Sequence, residues 1–508
     1  MKIFIKILFY LGLLSVFGYL LVQLFFKDEF NELKNKIFPA TAQESTNLSY
    51  KSLTIAYAFG PKNFEPTNFD PVTRSRLVNI YESLVMPDRN LQIEPSLAVS
   101  WGRLSDTEWE FKLRPNVKFH DNTDFNADDV IASFDRARNY KYSQLNDVLK
   151  TIDSITKIDD LTVKIQTKNP DPLLVNRIST VFIFSSETET FNKPVGTGAY
   201  KYVSSDNLDM NITRFDEYWA RKPYFKDVSI KTIENRFDRL DQFKSGNIDI
   251  LANVPPSLIK DITDSSVVTI SSLPSLEVNF LIFNMNGEYF KDKRLRQAVS
   301  LAFDKNAFIE FTLGYARPSY QFVSNGIFGF NPDILPTEQD VDEAKKLVRE
   351  FDPFKRPIIN IDIAEGAEII GEYIKEQLNA IGISSEINIL PFEELSEKIT
   401  NHESEMYYLG WKSELGDASN FFENAVYSAG TYNGGGYVNK KVDQLIELSL
   451  SNFDTEKRLE QMHEVMQIIT EEDIIGIPLF ESDIIYGIHA GINFKPRLDG
   501  YILASEIK

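Results

Sequence analysis

The sequence of 508 residues contains no cysteine and only four histidines (His120, His402, His463 and His489). Without cysteine the chain has no disulfide, no thiol nucleophile, no iron–sulfur cluster, no thiolate zinc site and no lipid-modified N-terminal cysteine. The histidines lie far apart in the sequence, which disfavours a histidine metal site and serine–histidine catalysis. We therefore expect neither a metal ion nor a cofactor.

Basic residues are few relative to acidic ones. Lys and Arg number 54 against 74 Asp and Glu, which gives a formal net charge of −20. Because proteins bind nucleic acid largely through cationic side chains that face phosphates, we expect no nucleic-acid partner. The catalytic patterns HExxH, GxSxG and SxxK with partners are also missing, and Gly196-Thr197-Gly198 lacks the third glycine and the lysine of a phosphate loop. We predict that Gly196–Gly198 is a turn and that the protein is not an enzyme.

The remaining composition is that of a globular protein, with 43% hydrophobic and 25% charged residues. Strand-like and helix-like segments alternate, which predicts an α/β or α+β fold. In the clearest unit, a helix over Ala367–Ile381 follows a strand over Pro357–Ala364 and precedes a strand over Ile383–Ile389. This order predicts a right-handed βαβ crossover. Further buried strands are expected at Met406–Trp411 and Ile474–Phe480.

The N-terminal segment indicates on which side of the cytoplasmic membrane the protein lies. Ile7–Phe26 is a run of 20 mostly apolar residues, which as a helix is about 30 Å long, the thickness of a bilayer core. Lys2 and Lys6 precede it, so the positive-inside rule places the N-terminus in the cytoplasm. The alternative is a cleaved signal peptide, since Ala40-Thr41-Ala42 resembles a cleavage site, although it lies well beyond the apolar run.

These observations divide the N-terminal region into two segments. We predict residues 1–27 as a membrane anchor or signal segment and residues 28–50 as a polar tether. The rest of the chain is expected outside the cytoplasmic membrane, in the periplasm or on the cell surface, on a protein that crosses the membrane once.

One region of the soluble part invites a binding hypothesis. The predicted strand Met406–Trp411 ends at Trp411, and Glu414 follows it. Ligands in open α/β sheets bind beyond the carboxyl ends of strands, and a carboxylate beside aromatic rings can hold an ammonium group. The alternative for Glu414 is an ordinary surface acid. In the loop Tyr432–Tyr437, glycines would let the backbone approach a ligand closely, and the alternative there is a plain connector.

Several blocks of sequence, in order along the chain, resemble one family. The chain is similar to the extracellular solute-binding proteins of family 5, the oligopeptide and dipeptide receptors of ABC importers. The blocks are IYESLVMPD (Ile80–Asp88), Pro95–Arg138, VGTGAYKYV (Val195–Val203) with Phe215–Val228, FKSGNIDI (Phe243–Ile250), Val278–Ile309, GWKSELGDASNFF (Gly410–Phe422) and GYVNKKVDQLI (Gly436–Ile446).

The resemblance implies an α/β, two-lobed clamshell of the periplasmic-binding-protein type II kind, in its three-subdomain, peptide-binding class, preceded here by one transmembrane helix. Lobe I would hold residues 51–272, with an inserted subdomain at about 76–194 and with residues 477–508 returning to it. Lobe II would be residues 273–476. Two crossover strands, near residues 273 and 476, would form the hinge.

The resemblance also implies a function and a site. The protein would capture extended peptides between the lobes by backbone pairing, with Glu414 as the anchor for the peptide amino group, and would work as a monomer with an ABC permease. The other expected ligand-binding residues are Trp411, Asn279, Phe280, Tyr432, Asn433, Gly436, Phe64 and Glu65. The alternatives are a non-peptide solute, such as a metal chelate, an opine or an oligosaccharide, and a surface scaffold that kept the fold without transport.

Overall fold

The computed structural model describes residues 52–206, 209–263, 267–352 and 357–508. The predicted anchor and tether lie outside these ranges. Within the ranges, none of the helices combines the length and the apolar character that crossing a bilayer requires. In chain order the helices are α1 (Pro71–Leu77), α2 (Ala127–Asn139), α3 (Leu174–Ile178), α4 (Arg236–Lys244), α5 (Ile259–Thr263), α6 (Lys293–Ser300), α7 (Ala307–Phe311), α8 (Val341–Phe351), α9 (Glu368–Ala380), α10 (Phe392–Thr400), α11 (Ser419–Phe421), α12 (Lys440–Ser451) and α13 (Thr455–Gln467).

The strands form one large mixed sheet and two smaller antiparallel sheets. In chain order they are β1 (Ser52–Tyr57), β2 (Val85–Pro87), β3 (Ile93–Pro95), β4 (Ala98–Arg103), β5 (Glu108–Leu113), β6 (Ile152–Asp159), β7 (Thr162–Thr167), β8 (Tyr200–Asp206), β9 (Asp209–Arg214), β10 (Asp227–Thr232), β11 (Ile250–Leu251), β12 (Val268–Phe283), β13 (Ala316–Pro318), β14 (Ile358–Ala364), β15 (Ser384–Leu390), β16 (Met406–Lys412) and β17 (Gly476–His489). The large sheet has the order β15-β14-β16-β12-β17-β11-β1-β10-β9-β8, with β13 paired to β17.

The two long antiparallel strands β12 and β17 join the halves of the large sheet. The first part of β12, from Val268 to Pro274, pairs with the end of β17, and its second part, from Val278, pairs with the beginning of β17 and with β16. Between Pro274 and Val278 the register shifts, which marks an irregularity in the ladder. This break lies beside the lobe boundary expected near residue 273, and the boundary itself stays a prediction.

The predicted βαβ unit is confirmed. Strands β14 and β15 pair in parallel, with Ile361 opposite Ile387, and α9 connects them. Gly382 lies just past the helix end with φ of 90°, a left-handed conformation that glycine adopts without steric cost. The inward side chains of β14 and α9, including Ile361 and Ile374, are fully buried in one apolar core. This unit supports β16, which lies next to β14 in the sheet.

A smaller four-stranded sheet, β4-β5-β7-β6, packs against α2. The Asn126 side chain caps this helix, and the Asp129 carboxylate accepts a hydrogen bond from the Asn126 backbone in return. Phe111 and Phe134 are completely buried in the core between sheet and helix. The segment between α2 and β6, residues 140–151, belongs to this part of the chain, as does α3, which follows β7. Both segments contribute residues to the cavity at β16.

The turn at Gly196–Gly198 is held between two buried side chains. On one side, the Gly196 N–H donates to His120 Nδ1 at 3.3 Å, and His120 Nε2 donates to the Gly198 carbonyl at 2.9 Å. On the other side, the Thr197 hydroxyl donates to the Glu82 carboxylate at 2.8 Å. A Cβ atom at Gly196 would come within 2.2 Å of the Ile80 carbonyl oxygen. The glycine is therefore required by close backbone approach, and the predicted turn is confirmed.

Candidate functional site

A cavity of about 440 Å³ lies against β16 and is lined by two separate parts of the chain. This volume falls within the roughly 300–1,000 Å³ that is usual for small-ligand sites. One side comes from β12, α10, β16 and residues 420–432, and the other side comes from Phe69, residues 144–150 and α3. The first side includes the side chains of Phe280, Trp411, Glu414, Glu423 and Tyr432, and the second includes those of Lys150 and Arg177.

The first side of the cavity is aromatic. Phe280 is almost completely buried, while the Trp411 ring meets the rings of Phe421 and Tyr432 edge-on, at centroid distances of 5.7 and 6.1 Å. The Nε1 atom of Trp411 is buried and finds no acceptor among the described residues. Three of the residues predicted to bind ligand, Phe280, Trp411 and Tyr432, therefore line the same cavity.

Strand β16 has one open edge beside this cavity. It pairs with β12 from Met406 to Lys412, but it pairs with β14 only at Met406 and Tyr407. From Leu409 onward no described strand pairs with the second edge, and Leu409–Lys412 line the cavity. Backbone N–H and C=O groups along such an edge can pair with an added strand.

A partly buried cluster of charges connects the two sides of the cavity. The Glu423 carboxylate binds Lys150 Nζ at 2.6 Å and an Arg177 guanidinium nitrogen at 3.1 Å, and Arg177 also contacts Asp171 at 3.3 Å. Burial opposes ionisation of Glu423, but Arg177 and Lys150 outweigh it, so the pKa of this carboxyl is lowered. Sequence reasoning missed this cluster, because Arg177 and Glu423 are 246 positions apart and no motif marks either residue.

Glu414 lies where the cavity meets a smaller chamber. Its side chain is partly buried, and its carboxylate has no hydrogen bond or ion pair with a described residue. Burial raises the pKa of Glu414, and the charges of Lys412 and Arg74 oppose that shift. The predicted anchor is thus a partly buried carboxylate that borders both spaces and has no partner in the described part of the chain.

Three predicted residues on the same side of the molecule do not line the cavity. Asn279 accepts a hydrogen bond from the Tyr408 hydroxyl at 2.8 Å, on the sheet face opposite to Phe280, because neighbouring strand residues alternate. The Asn433 carboxamide binds the backbone of Tyr427 and Tyr437 and so holds its own loop together. Gly436 has φ of 61°, and a Cβ atom there would lie 2.4 Å from an Asn286 nitrogen.

Phe64 and Glu65 also lie outside the cavity lining. The Phe64 ring contacts the Tyr202 ring edge-on at 5.7 Å. The Glu65 carboxylate forms two hydrogen bonds with the Arg136 guanidinium, at 2.9 and 2.7 Å. In this structure both residues have protein partners, and their assignment as ligand contacts stays a prediction.

Comparison with known proteins places the chain in a family. Residues 92–433 match the family described as "Bacterial extracellular solute-binding proteins, family 5 Middle". The chain belongs to this family. The family assignment confirms the resemblance found in the sequence, and its extracellular description agrees with the predicted location of the soluble part.

Relatives of this family 5 protein differ in what they bind. The dipeptide-binding protein of Escherichia coli (strain K12) is 23% identical over 511 residues, covering 90% of this chain and 93% of the relative. The periplasmic binding protein DppA from Helicobacter pylori, solved with the peptide STSA, has a TM-score of 0.77 at 22% identity, covering 90% and 97%. NikA from Staphylococcus aureus, solved with Ni(L-His)2, has a TM-score of 0.75 at 22% identity, covering 90% and 99%. These structures confirm the α/β fold of the periplasmic-binding-protein type II kind, and the transmembrane helix predicted before it lies outside the described residues.

Proposed function

We propose that the protein captures a short extended peptide in the 440 Å³ cavity and delivers it, chemically unchanged, to an ABC permease. The observation that carries the proposal is the unpartnered carboxylate of Glu414 beside the Trp411 ring. A peptide amino group is the complementary cation, and in a cavity shielded from water a charge-assisted hydrogen bond between them is strong. The dipeptide-binding relative supports this class of ligand.

The open edge of β16 would provide hydrogen-bond partners for the backbone of the bound peptide. An extended ligand that pairs with residues 409–412 would satisfy its own N–H and C=O groups on the protein main chain. Such pairing is independent of the ligand side chains, so one cavity accepts many sequences. The aromatic side of the cavity, with Trp411 and Tyr432, would cover the ligand and exclude water.

Capture would involve closure of two lobes, residues 51–272 with 477–508 and residues 273–476. The Glu423 cluster and a hydrogen bond from Asn176 Nδ2 to the Leu415 carbonyl, at 3.0 Å, would hold the closed form, since they join the two proposed lobes. The register shift between Pro274 and Val278 supplies an irregular stretch where β12 and β17 can bend. Closure around a ligand is a known use of such hinges.

Residues 1–27 would anchor the receptor near its permease and raise its effective concentration there. Protease treatment of intact cells tests this topology. Release of a fragment beginning near residue 50 supports the anchor, whereas a protected C-terminus contradicts it.

Native mass spectrometry of the full chain as purified tests the ligand class. A ladder of peptide masses supports the proposal. One discrete small mass supports a non-peptide solute, such as a metal chelate, an opine or an oligosaccharide. If no ligand from a broad screen binds, the surface scaffold is the better description.

The Glu414→Gln variant tests the role of the anchor. We expect it to weaken binding of a free peptide about tenfold or more, because the neutral amide loses the ion pair with the ammonium group. The exposed Glu338→Gln variant, which removes the same charge elsewhere, should bind like the wild type. Equal wild-type affinity for a peptide and its N-acetylated form would contradict the anchor.

A further inference from the structure

A small chamber of about 60 Å³ adjoins the main cavity at Glu414. It shares Phe69, Lys412 and Glu414 with that cavity, so the Glu414 carboxylate borders both spaces. By the usual measure of about 10–15 Å³ per water, the chamber has room for about four water molecules. A small polar group of a ligand bound at Glu414 would therefore fit into it.

Arg74 brings a buried cation to the chamber. Only 5% of this residue is exposed, one guanidinium nitrogen donates to the Thr180 carbonyl at 3.0 Å, and the Phe182 ring lies 4.2 Å from the guanidinium carbon. Arg74 forms no ion pair with a described carboxylate, whereas Arg497 in the same chamber is paired with both Asp499 and Glu506. A buried guanidinium without a carboxylate is costly, so this one is suited to an anion from outside.

Lys412 and Ser413 add two further donors. Lys412 Nζ donates to the Asp499 carbonyl at 2.7 Å and has no ion pair with a described carboxylate. Ser413 is 1% exposed, and its buried hydroxyl has no hydrogen-bond partner among the described residues. Because an unsatisfied buried polar group carries a desolvation penalty, the hydroxyl is a second, independent sign that a polar guest belongs here.

The chamber is also lined by two residues with a strained backbone. Leu91 and Leu276 line it with φ of 65° and 59°, a left-handed conformation that a leucine side chain rarely adopts. The Leu276 carbonyl accepts a hydrogen bond from the Ser413 N–H at 3.4 Å. Such strain persists where surrounding structure enforces it, often at ligand sites.

We infer that this chamber binds a carboxylate that the ligand carries close to its amino group. The inference rests on the proposed function, in which Glu414 holds the ammonium group. Arg74, Lys412 and Ser413 would then receive the carboxylate, so that each buried charge meets its opposite. The ligand is either a peptide whose first residue is Asp or Glu, or a glutamyl group linked through its side-chain carboxyl, which leaves the α-carboxylate free.

Isothermal titration of the full chain with three dipeptides at neutral pH tests the inference. The probes are Glu-Ala, Gln-Ala and γ-linked Glu-Ala. We expect at least one of the two acidic probes to bind about tenfold more tightly than Gln-Ala, since a charge-assisted contact is added, and the better one identifies the source of the carboxylate. If all three bind equally well, this inference is wrong and the proposed function stands. If neither these nor other peptides bind, the proposed function fails and the inference fails with it.

Two variants test whether the chamber causes the preference for acidic over neutral dipeptides. Arg74→Gln and Ser413→Ala should each reduce the preference for the acidic probe while affinity for Gln-Ala is retained. Ser413→Ala removes only a hydroxyl and so remains informative if Arg74→Gln does not fold. The control Arg221→Gln removes a positive charge from an exposed site and should keep the full preference. An equal loss of affinity for acidic and neutral probes would mean that the chamber has only a structural role.

Discussion

The Arg103 guanidinium lies over the Phe453 ring, 3.8 Å from its centroid, and joins β4 to the loop between α12 and α13. The Trp109 ring also approaches Phe453, at a centroid distance of 6.2 Å. Neither Arg103, Trp109 nor Phe453 lines the ligand cavity. This contact therefore joins the two proposed lobes without touching the site between them.

We expect Phe453→Ala to lower ligand affinity about three- to tenfold by weakening the closed form, since cation–π contacts contribute about 0.5–2 kcal/mol. Preference among peptides should not change, because the cavity lining is untouched. Titration of the variant with a peptide series measures both quantities. A matched control is Phe237→Ala, which removes a cation–π partner of Arg236 at 4.8 Å within α4. Loss of affinity in both variants would contradict the assignment.

Replacing different members of the Glu423 cluster should lower the free energy of unfolding by unequal amounts. Glu423→Gln should lower the free energy of unfolding by about 2 kcal/mol, because it leaves the 4%-exposed Arg177 with Asp171 as its one ion-pair partner among the described residues. Lys150 is 48% exposed, so Lys150→Met should cost less than about 1 kcal/mol. Urea unfolding of both variants measures the difference. Equal costs would mean that the buried Arg177 does not depend on Glu423.

His120 predicts a loss of stability in acid. Burial lowers the pKa of His120 to about 4, below the ordinary value of 6.5 that it regains on unfolding. Between these values the unfolded chain binds the proton first, so this contribution is complete above pH 6.5 and is lost as the pH falls towards 4. We expect His120 to contribute a loss of about 2 kcal/mol between pH 7 and pH 4.5, measured by urea unfolding as the difference in this loss between the wild type and His120→Gln. The comparison with the variant is needed because burial raises the pKa of Glu82 to about 7, which shifts stability in the opposite direction in both proteins. His120→Gln keeps an N–H donor without titrating and should reduce the slope; an unchanged slope would contradict the assignment.

In the turn beside His120, adding one methyl group at Gly196 should strongly reduce the stability of the protein. Gly196→Ala should destabilise the protein by about 1–3 kcal/mol, because its Cβ atom would overlap the Ile80 carbonyl oxygen. At Gly102, in β4, a Cβ atom would meet nothing within 4 Å, so Gly102→Ala is the control. Thermal unfolding of the two variants separates steric overlap from a general effect of replacing glycine. Similar melting temperatures would contradict the steric argument.

Local patterns predicted the elements well. The helix at Ala367–Ile381 and the strand at Met406–Trp411 depend on neighbouring residues, and each appears in the structure within a few residues of its predicted bounds. The strand expected at Ile474–Phe480 instead continues to His489. Its polar stretch Glu481–Asp483 continues as strand because it pairs with β12 and β13, which the local sequence does not reveal.

The candidate site was predicted only in part. Trp411 lies near the end of a strand and Glu414 follows that strand, so a general rule about sheets identified them as candidates. The partners on the other side of the cavity, Lys150 and Arg177, come from a distant segment and are brought to Glu423 only by tertiary packing. Asn433 was predicted to bind ligand; its amide satisfies the backbone of its own loop, and its contact with a ligand stays a prediction.

The position of β17 has a consequence for biosynthesis. In the described sheet this strand, from Gly476 to His489, is the one that connects β12 to β11. Because β17 follows every other strand of the described sheet in chain order, a nascent chain holds two incomplete sheet edges until this strand has been made. The two halves of the sheet can therefore join only after β17 has left the ribosome.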